Sequence, residues 1–542
     1  MNRHPAWFDP GDPRTATCVT AQLLERGAEA HPDRVFAVLR DGDAWTYQAI
    51  LLESQRRAAG LFSQGVRPGD PVCVFLPNGI EALLAWFSIN LLGAVFVPLN
   101  PAYRGGILTH AITLSGAKLM IAHDRLIERV CTLEDHGELE VVVSTSSDTQ
   151  HASDAFMIRP SETLRLDPEQ FHQADCARMP WDLQSILFTS GTTGPSKGVL
   201  SSHVHLHTAA NALFGYMSED DRIFVNAPIH HLGAPAAIHA ALAAHASIAF
   251  VDGFNARTFW EEIKDTGATI TSGLLGSMTT LLAQHSESET IVESSLRRTH
   301  LYPVSEDTVA FANRFGFEYY SGYGTTEVPL PLVTDLNTSH LGSCGRPRTG
   351  VTCRLVDDHD LEVEQGSVGE LVIRPDEPWS ITHGYHGMAE ATANAWRNGW
   401  FHTGDLMRQD ESGSYYFVDR KKDAIRRRGE NISSHEIEMA VLGNSGVGDV
   451  VAIGVPAELG EEEVLIVIEP SAGETIDCAT LFGRLVEELP HFMLPRYIRV
   501  VDKLPRTPTE KPQKYLLRDE GVTEDTWDRE AAGIQVRRMK LD

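Results

Sequence analysis

The sequence predicts an α/β protein with a large N-terminal domain of parallel sheets covered by helices, a small β-rich subdomain, and a small α+β C-terminal domain. Three observations support this prediction. Apolar strand-like runs alternate with helical stretches through the first 150 residues and again from about 183 to 330. Short strands separated by turns then replace the alternation, and a fresh α/β pattern begins near residue 420. The predicted domains are therefore 1–419 and 420–542.

The individual elements follow from these patterns. The first block contains the runs "PVCVFLP", "AVFVPL", "KLMIAH" and "VVVSTS" and the helical stretch "GIEALLAWFSINLLG". The β-rich unit contains "TCRLVDD", "GELVIRP" and "SYYFVDR". The C-terminal block predicts a helix at 434–443, the strands "VVAIGV" and "EVLIVIEP", and the helix "CATLFGRLVEELP". The apolar stretch 234–251 predicts a buried helix followed by a strand rather than a membrane span, because Pro235, His239 and His245 interrupt it.

Charge and cysteine usage limit the function. A net charge of −28 argues against a nucleic-acid binder, since such a protein needs a basic surface. Seven scattered cysteines without C-x-x-C spacing fit a reducing cytosol and no structural zinc. The N-terminus has no apolar segment of the signal-peptide type. These features predict a cytoplasmic protein with no integral membrane association.

The stretch "TSGTTGPSKG" (189–198) is rich in donors for an anion. Its candidate phosphate-binding residues are Thr189, Ser190, Gly191, Thr192, Thr193, Gly194 and Lys197. Glycines let backbone N–H groups face an anion, and the hydroxyls and the ammonium add further donors. It is not a P-loop, because Ser196 precedes the lysine and Gly198 follows it. The strand "SILF" before it and the helical spacing of 201–217 after it suit phosphate binding, although an ordinary Gly/Ser turn is the alternative.

Four later motifs carry further candidates. "GYGTTE" (322–327) contains a carboxylate that alone would be read as a surface residue after a turn, and "FHTGDL" (401–406) contains a "TGD" that alone could be a turn or helix cap. "DRKKDAIRRRGEN" (419–431) places six basic residues within nine positions, which is equally typical of a solvated face. The fourth stretch is "LPRTPTEKPQK" (504–514).

Together with the loop, these motifs resemble the adenylate-forming superfamily of acyl-CoA synthetases, adenylation domains and luciferases, over essentially the whole chain. The resemblance implies an active site between the large domain and a small mobile domain, with a hinge near 420–423. It also implies the reaction: a carboxylate attacks the α-phosphate of ATP, pyrophosphate leaves, and a thiol, usually that of CoA, displaces AMP from the acyl-adenylate. The expected substrates and cofactors are a small carboxylic acid, ATP, CoA and Mg²⁺; a homodimer is an open option.

The resemblance also implies roles for individual residues. The loop would hold the β- and γ-phosphates, Glu327 would bind Mg²⁺, and Thr326 would touch the α-phosphate. Tyr323, next to Gly324, would lie against adenine, and Asp405 would accept from the ribose hydroxyls. The roles on the C-terminal side fall to four residues: Arg420 at the nucleotide, Lys422 at the hinge, Gly429 at the CoA channel and Lys511 at the carboxylate and α-phosphate during adenylation.

The acid itself is left open by the sequence. Relatives often carry a "GGAP"-like segment where this chain has Tyr302-Pro303-Val304-Ser305, a replacement that resembles the carnitine or crotonobetaine CoA ligase branch. The acyl pocket would draw on His231, on "SGLLGSM" (272–278) and on residues near Ser321. A purely structural role is the alternative interpretation of His231, and His230 is the other candidate for its functional role. No counter-charge for a carnitine-like cation is evident, so an apolar, alicyclic or aromatic acid is an equal candidate.

Three functions are compatible with these motifs. The favoured one is an acid:CoA ligase. The second is an adenylation enzyme that loads a carrier-protein thiol, for which a carrier domain or separate carrier is expected, and no carrier domain follows Lys511. The third is a nucleotide-binding protein that has lost catalysis, against which the presence of Lys511, Glu327 and Asp405 argues.

Overall fold

The computed structural model describes residue 7 and residues 17–168, 178–189, 196–285, 294–420, 425–427, 430–432, 434–457, 460–506, 512 and 514–536. The α-helices in these ranges are Thr20–Ala30, Tyr47–Ser63, Ile80–Leu91, Gly105–Ser115, Asp124–Cys131, His203–Phe214, Gly233–Ala243, Phe259–Thr266, Gly276–His285, Glu306–Phe315, Ala389–Ala395, Ser434–Leu442, Cys478–Glu488 and Lys514–Glu520.

Two sheets of mainly parallel strands form the large N-terminal region. In spatial order the first contains Leu274–Leu275, Arg298–Tyr302, Ile270–Thr271, Arg222–Val225, Ser247–Phe250, Val35–Leu39 and the antiparallel edge strand Ala44–Thr46, with Glu318–Tyr320 beside Arg298–Tyr302. The second contains Met157–Arg159, Val141–Ser144, Leu119–Ala122, Pro71–Phe75, Val95–Pro98, Leu183–Thr189 and the antiparallel strand Lys197–Ser202. Their central strands are continuous apolar runs, as parallel strands covered on both faces require.

The core between these sheets is built by helices that are apolar around their circumference. Every residue from Ala82 to Leu91 is buried, and the helix Gly233–Ala243 is buried from Ala234 to Leu242. Such helices have no polar face to present to water and fit only between two layers. The apolar stretch 234–251 is therefore a buried helix followed by the strand Ser247–Phe250, as predicted. No helix in the described parts of the chain is both long enough and apolar enough for a membrane crossing.

A third sheet is entirely antiparallel and forms the β-rich subdomain. Its strands in spatial order are Gly322–Tyr323, Leu332–Val333, Ser343–Pro347, Tyr415–Arg420, Trp400–Gln409, Val368–Pro375 and Val351–Val356, with Trp396–Arg397 beside Trp400–Gln409. One face packs around a small apolar core that includes Leu371, Ile373 and Phe401, all at most 2% exposed. The change from parallel to antiparallel strands agrees with the change of sequence texture after residue 330.

The C-terminal unit has a core of its own. Four strands lie in the order Val447–Pro456, Glu462–Pro470, Tyr497–Val500 and Trp527–Asp528, and a separate hairpin pairs Ile425–Arg427 with Glu430–Ile432. The predicted fold class is confirmed in these parts, whereas the boundary near 420 and the mobility of this unit stay predictions.

One member of the basic run is structural. The guanidinium of Arg427 is buried, donates to the carbonyls of Phe492 and Leu494 at 3.0 and 2.8 Å, and pairs with Glu463 at 2.6 Å. Burying a guanidinium is costly unless its donors are satisfied. Arg427 therefore ties the hairpin to the C-terminal core and does not belong to a solvated face.

Candidate active site

A cleft of about 1850 Å³ lies between the N-terminal region and the C-terminal unit. Its N-terminal wall is formed where the parallel strands Leu183–Thr189, Arg298–Tyr302 and Glu318–Tyr320 end, and residues of the hairpin 425–432 line the opposite side. In α/β sheets the carboxyl ends of the strands are the usual place for a ligand, because loops that leave the sheet there can supply polar groups.

Most of the described candidates from the sequence line this cleft: Thr189, Lys197, His231, Tyr323, Gly324, Thr326, Glu327 and Asp405. Arg420 ends the strand Tyr415–Arg420 and is paired in register with Asp405. The remaining candidates lie outside the described residues: Ser190, Gly191, Thr192, Thr193, Gly194, Lys422, Gly429 and Lys511.

Asp405 is a fixed hydrogen-bond acceptor in the cleft wall. The residue is 1% exposed, and the hydroxyl of Tyr323 donates to its Oδ2. Its backbone N–H donates to Thr403 Oγ1 at 3.2 Å, and the N–H of Gly404 donates to Glu370 at 3.0 Å. These bonds hold the "TGD" segment in place, so the carboxylate is positioned by the sheet and not by a mobile turn.

Glu327 is held by a buried tyrosine. The hydroxyl of Tyr385 donates to Glu327 Oε1 at 2.9 Å, and the backbone carbonyl of Glu327 accepts from the N–H of Thr382 at 2.8 Å. Burial, followed by the neighbouring carboxylate, raises the pKa of Tyr385 well above its ordinary value, so the phenol stays protonated as the donor. An oriented carboxylate oxygen that faces the cleft is a ligand of the type Mg²⁺ prefers, and Glu327 therefore fits the predicted metal.

Lys197 lies beside the same tyrosine. Its ammonium is 4.5 Å from the centre of the Tyr385 ring, within cation–π distance. Tyr385 thus contacts both a cationic group at the end of the predicted phosphate loop and the candidate metal ligand. The ring gives these two groups of opposite charge a fixed spacing around the place where a polyphosphate would lie.

The phosphate loop differs from the predicted strand–loop–helix order. Leu183–Thr189 and Lys197–Ser202 pair as antiparallel strands, with Thr189 opposite Lys197, and the helix begins only at His203. Ser202 caps this helix by accepting from the N–H of His205 at 3.1 Å. The strand after the loop, KGVLSS, buries Val199, Ser201 and Ser202 against the sheet, so an edge strand separates the loop from the helix.

Ser196, at the end of the loop, contacts both sides of the cleft. Its carbonyl lies 2.8 Å from His110 Nε2 in the N-terminal region. Its N–H donates to Glu436 Oε1 at 2.9 Å, and its hydroxyl donates to the same oxygen. Glu436 belongs to the first turn of the helix Ser434–Leu442 in the C-terminal unit. A carboxylate of one unit is therefore bonded to the predicted phosphate loop of the other.

His231 makes a second contact between the two units. Its Nε2 lies 2.9 Å from Glu430 Oε2, and the ring centre of His230 is 4.4 Å away. Burial would lower the pKa of His231, but the charge and hydrogen bond of Glu430 outweigh it and raise the pKa. The raised pKa widens the pH range in which this contact is an ion pair across the cleft, and the histidine side chain is 41% exposed.

The predicted acyl-pocket segments reach the cleft as well. Ser272, Leu275 and Gly276 from "SGLLGSM", with Ser321 and Gly322, line it. The segment that stands in place of "GGAP" contributes Tyr302, Pro303 and Ser305 to the lining, whereas Val304 is buried. Leu213 and Leu232 complete the apolar part of this wall.

Sequence reasoning missed three residues of this site: Tyr385, Glu430 and Glu436. Tyr385 lies 58 positions from Glu327, and Glu436 lies 240 positions from Ser196. Tyr385 and Glu436 stand in stretches whose composition alone indicates no role, whereas Glu430 lies in the basic stretch 419–431. The proximity of Glu430 to the predicted channel residue Gly429 was the one signal present in the sequence.

Family profiles agree with this architecture. A profile of the AMP-binding enzymes matches residues 24–386, more than half of the chain, and a profile of the AMP-binding enzyme C-terminal domain matches residues 436–511. The chain belongs to the AMP-binding enzyme family. The predicted class of enzyme, an AMP-forming acid–thiol ligase that uses ATP, Mg²⁺ and CoA, is confirmed at this level.

Individual relatives cover nearly the full chain. A crotonobetaine/carnitine–CoA ligase of Citrobacter koseri is 28% identical over 529 residues, 92% of this chain and 98% of the relative. A double mutant of the o-succinylbenzoate CoA synthetase of Bacillus subtilis, bound with its product analogue, has a TM-score of 0.76 at 21% identity, covering 92% and 98% of the two chains. The amide bond synthetase McbA of Marinactinospora thermotolerans has a TM-score of 0.77 at 23% identity, covering 92% and 99%. The predicted resemblance to the carnitine/crotonobetaine branch is confirmed, and the two structures confirm the fold.

Proposed function

We propose that this cleft carries out two half-reactions on a carboxylic acid. An oxygen of the acid attacks the α-phosphorus of ATP, and the bond to the leaving pyrophosphate breaks. The thiol of CoA then attacks the acyl carbon, and AMP leaves. The observation that carries the proposal is the convergence of Lys197, Glu327 and Asp405 with the acyl wall in one cleft.

The adenosine half of ATP would be held by the third sheet. Asp405, fixed by Tyr323, would accept hydrogen bonds from the ribose hydroxyls, and the ring of Tyr323 would offer its face to adenine. Thr326 would donate to the α-phosphate from the neighbouring turn. Because these groups lie on strands with their own hydrogen bonds, they would orient the α-phosphorus without a large rearrangement.

The leaving pyrophosphate would be held by the loop 189–198. Lys197 and Thr189 stand at the two ends of that loop and line the cleft. Glu327, oriented by Tyr385, would hold Mg²⁺, which when bound neutralises phosphate charge. Electrostatic stabilisation of this kind is usually the largest contribution to phosphoryl-type transfers.

The second half-reaction requires a different arrangement of the C-terminal unit from the first. We assign Lys511 to adenylation, Lys422 to the hinge, Arg420 to the nucleotide and Gly429 to the thiol channel. The hairpin strands on either side of Gly429 reach the cleft through Arg426 and Glu430. This placement supports an arrangement suited to thioester formation, with Lys511 withdrawn after pyrophosphate leaves.

The acyl wall favours an acid of modest size. Leu213, Leu232, Leu275 and Tyr302 provide apolar surface, and Gly276 leaves room beside them. We propose an apolar, alicyclic or aromatic acid. One observation favours a cationic acid instead: the carboxylate residue Asp307 also lines the cleft, and it supplies the counter-charge that the sequence did not reveal. Relatives named as crotonobetaine/carnitine–CoA ligases make this second candidate worth the same test.

The test is pyrophosphate release with a panel of acids that includes uncharged aromatic acids and trimethylammonium acids, with CoA or a carrier protein as the acceptor. Acid-dependent release followed by CoA thioester formation is expected. Release that requires a carrier would favour the carrier-loading alternative, and no release with any acid would refute the proposal. Asp307→Asn should lower turnover of the trimethylammonium acids alone.

Two variants separate the half-reactions. Lys511→Ala should lose acid-dependent pyrophosphate release but still convert supplied acyl-adenylate and CoA to thioester. Lys422→Pro should form adenylate but fail in thioester formation, because proline fixes φ at the proposed pivot. Equal impairment of both half-reactions in folded variants would contradict this division. A cytoplasmic location and a homodimer stay predictions, to be checked by fractionation and by sedimentation.

A further inference from the structure

The carboxylate of Glu436 is bonded to Ser196, at the end of the predicted phosphate loop, where the proposed function places an anion. Its Oε1 accepts two hydrogen bonds from Ser196, one from the N–H and one from the hydroxyl. Under the proposed function the loop offers backbone N–H groups and hydroxyls to phosphate oxygens, and Ser196 supplies one of each directly before Lys197, which lines the cleft. The carboxylate comes from the opposite side of the cleft, from the helix Ser434–Leu442.

A carboxylate and a phosphate cannot share these donors. Both would accept from the same N–H and hydroxyl, and two like charges at hydrogen-bond separation repel strongly in a partly enclosed cleft. The surroundings offer little water to screen them, since Ser196 is 2% exposed and the neighbouring Tyr103 is 9% exposed. His110 Nε2 lies 2.8 Å from the carbonyl of Ser196, so the backbone at the end of the loop is also held from the N-terminal region.

We infer that Glu436 acts as a positioning residue that senses whether the loop holds polyphosphate. While the β- and γ-phosphates are bound, Glu436 is excluded and the C-terminal unit cannot take the arrangement described here. When pyrophosphate leaves, Glu436 takes its place on Ser196 and stabilises this arrangement. Pyrophosphate departure and the presentation of the hairpin 425–432 to the cleft are thereby linked. This inference rests on the proposed function of the loop.

The linkage is measurable as binding. Polyphosphate would bind only after Glu436 has left Ser196, so the wild-type affinity for polyphosphate is reduced by the fraction of molecules in this arrangement. A hydrogen-bonded charge changes such an equilibrium by roughly 10- to 100-fold. Glu436→Ala should therefore bind inorganic tripolyphosphate in Mg²⁺ about tenfold more tightly than the wild type by calorimetry. Glu436→Gln, which keeps an acceptor but loses the charge, should lie between.

Glu487→Gln is the matched control. Glu487 is an exposed carboxylate of the same unit, on the helix Cys478–Glu488, and its loss changes the net charge equally. Its tripolyphosphate affinity should equal that of the wild type. In the thioester half-reaction with supplied acyl-adenylate, Glu436→Ala should be slowed and be inhibited by lower pyrophosphate concentrations than the wild type.

Equal tripolyphosphate affinities of the wild type and the Glu436 variants would overturn the inference, as would an equal increase in Glu487→Gln. The binding experiment needs no acid. If no acid in the panel releases pyrophosphate, the proposed function fails, yet tighter tripolyphosphate binding by Glu436→Ala would still establish the exclusion between carboxylate and polyphosphate. Melting temperatures of all variants show whether each protein is folded.

Discussion

Tyr385→Phe tests whether the orientation of Glu327 matters for adenylation. The substitution removes one hydroxyl, which donates to Glu327 Oε1 at 2.9 Å, and leaves the ring beside Lys197 in place. A hydrogen bond to a charged group contributes about 1.5–3 kcal/mol, and each 1.36 kcal/mol corresponds to a factor of ten. We expect kcat/KM for acid-dependent pyrophosphate release to fall by roughly 10- to 100-fold. The Mg²⁺ concentration needed for half-maximal rate should rise at the same time.

The control for this prediction is Tyr416→Phe. Tyr416 also donates to a carboxylate at 2.9 Å, that of Asp410, but neither residue lines the cleft. The two variants thus lose the same type of bond, and only one loses it at the site. A Tyr385→Phe enzyme with wild-type kcat/KM and Mg²⁺ dependence, at an unchanged melting temperature, would refute the assignment of Tyr385 as the residue that orients Glu327. So would an equal loss in Tyr416→Phe.

Three further outcomes are expected. His231→Ala should change the ranking of acids or the KM for acid or CoA more than the KM for ATP, and an unchanged acid profile with intact CoA kinetics would move the role to His230. Burial lowers the pKa of His205 to about 3, so between pH 7.5 and 5.5 this histidine gains a proton only in the unfolded chain, and the free energy of unfolding falls by about 1.4 kcal/mol. In urea unfolding over the same pH interval, the free energy of unfolding of His205→Gln should fall by about 1.4 kcal/mol less than that of the wild type. Arg427→Met should destabilise the C-terminal unit by about 3–5 kcal/mol, measured as a lower midpoint in urea, because a buried ion pair with Glu463 and two hydrogen bonds to the carbonyls of Phe492 and Leu494 are lost together.

Local patterns sufficed to predict the fold because each domain obeys them consistently. Fully apolar strands such as Leu119–Ala122 signal burial on both faces, and the sharp change to short antiparallel strands after residue 330 marks a new layer. The strand Lys197–Ser202 was not predicted, although the helix expected over 201–217 is present as His203–Phe214. The strand forms because it pairs with the hydrogen-bonding edge of Leu183–Thr189, which is a tertiary feature.

Most of the predicted site residues that reach the cleft stand in short motifs, and the chemical role of such a motif can be predicted without knowing the fold. The residues that orient or bond to these site residues cannot be predicted in this way. Tyr385 and Glu436 become recognisable only through a distance, 2.9 Å to Glu327 and 2.9 Å to the N–H of Ser196. Such contacts depend on how the tertiary structure brings separate sheets and units together, and the local sequence around either residue does not indicate them.

The contacts across the cleft can be replaced by contacts with a ligand, whereas the packing inside each core cannot. The C-terminal unit has its own buried core. Its contacts with the N-terminal region, among the residues that the structure describes, include the His231–Glu430 and Ser196–Glu436 pairs, the bond from Arg104 to the carbonyl of Val486, and packing by Ile107. Each of these polar contacts can be broken without opening either hydrophobic core, and its groups can bond to a ligand instead. A polyphosphate that competes for Ser196 can therefore change the arrangement of the units without disturbing either core, which is what a two-step reaction in one cleft requires.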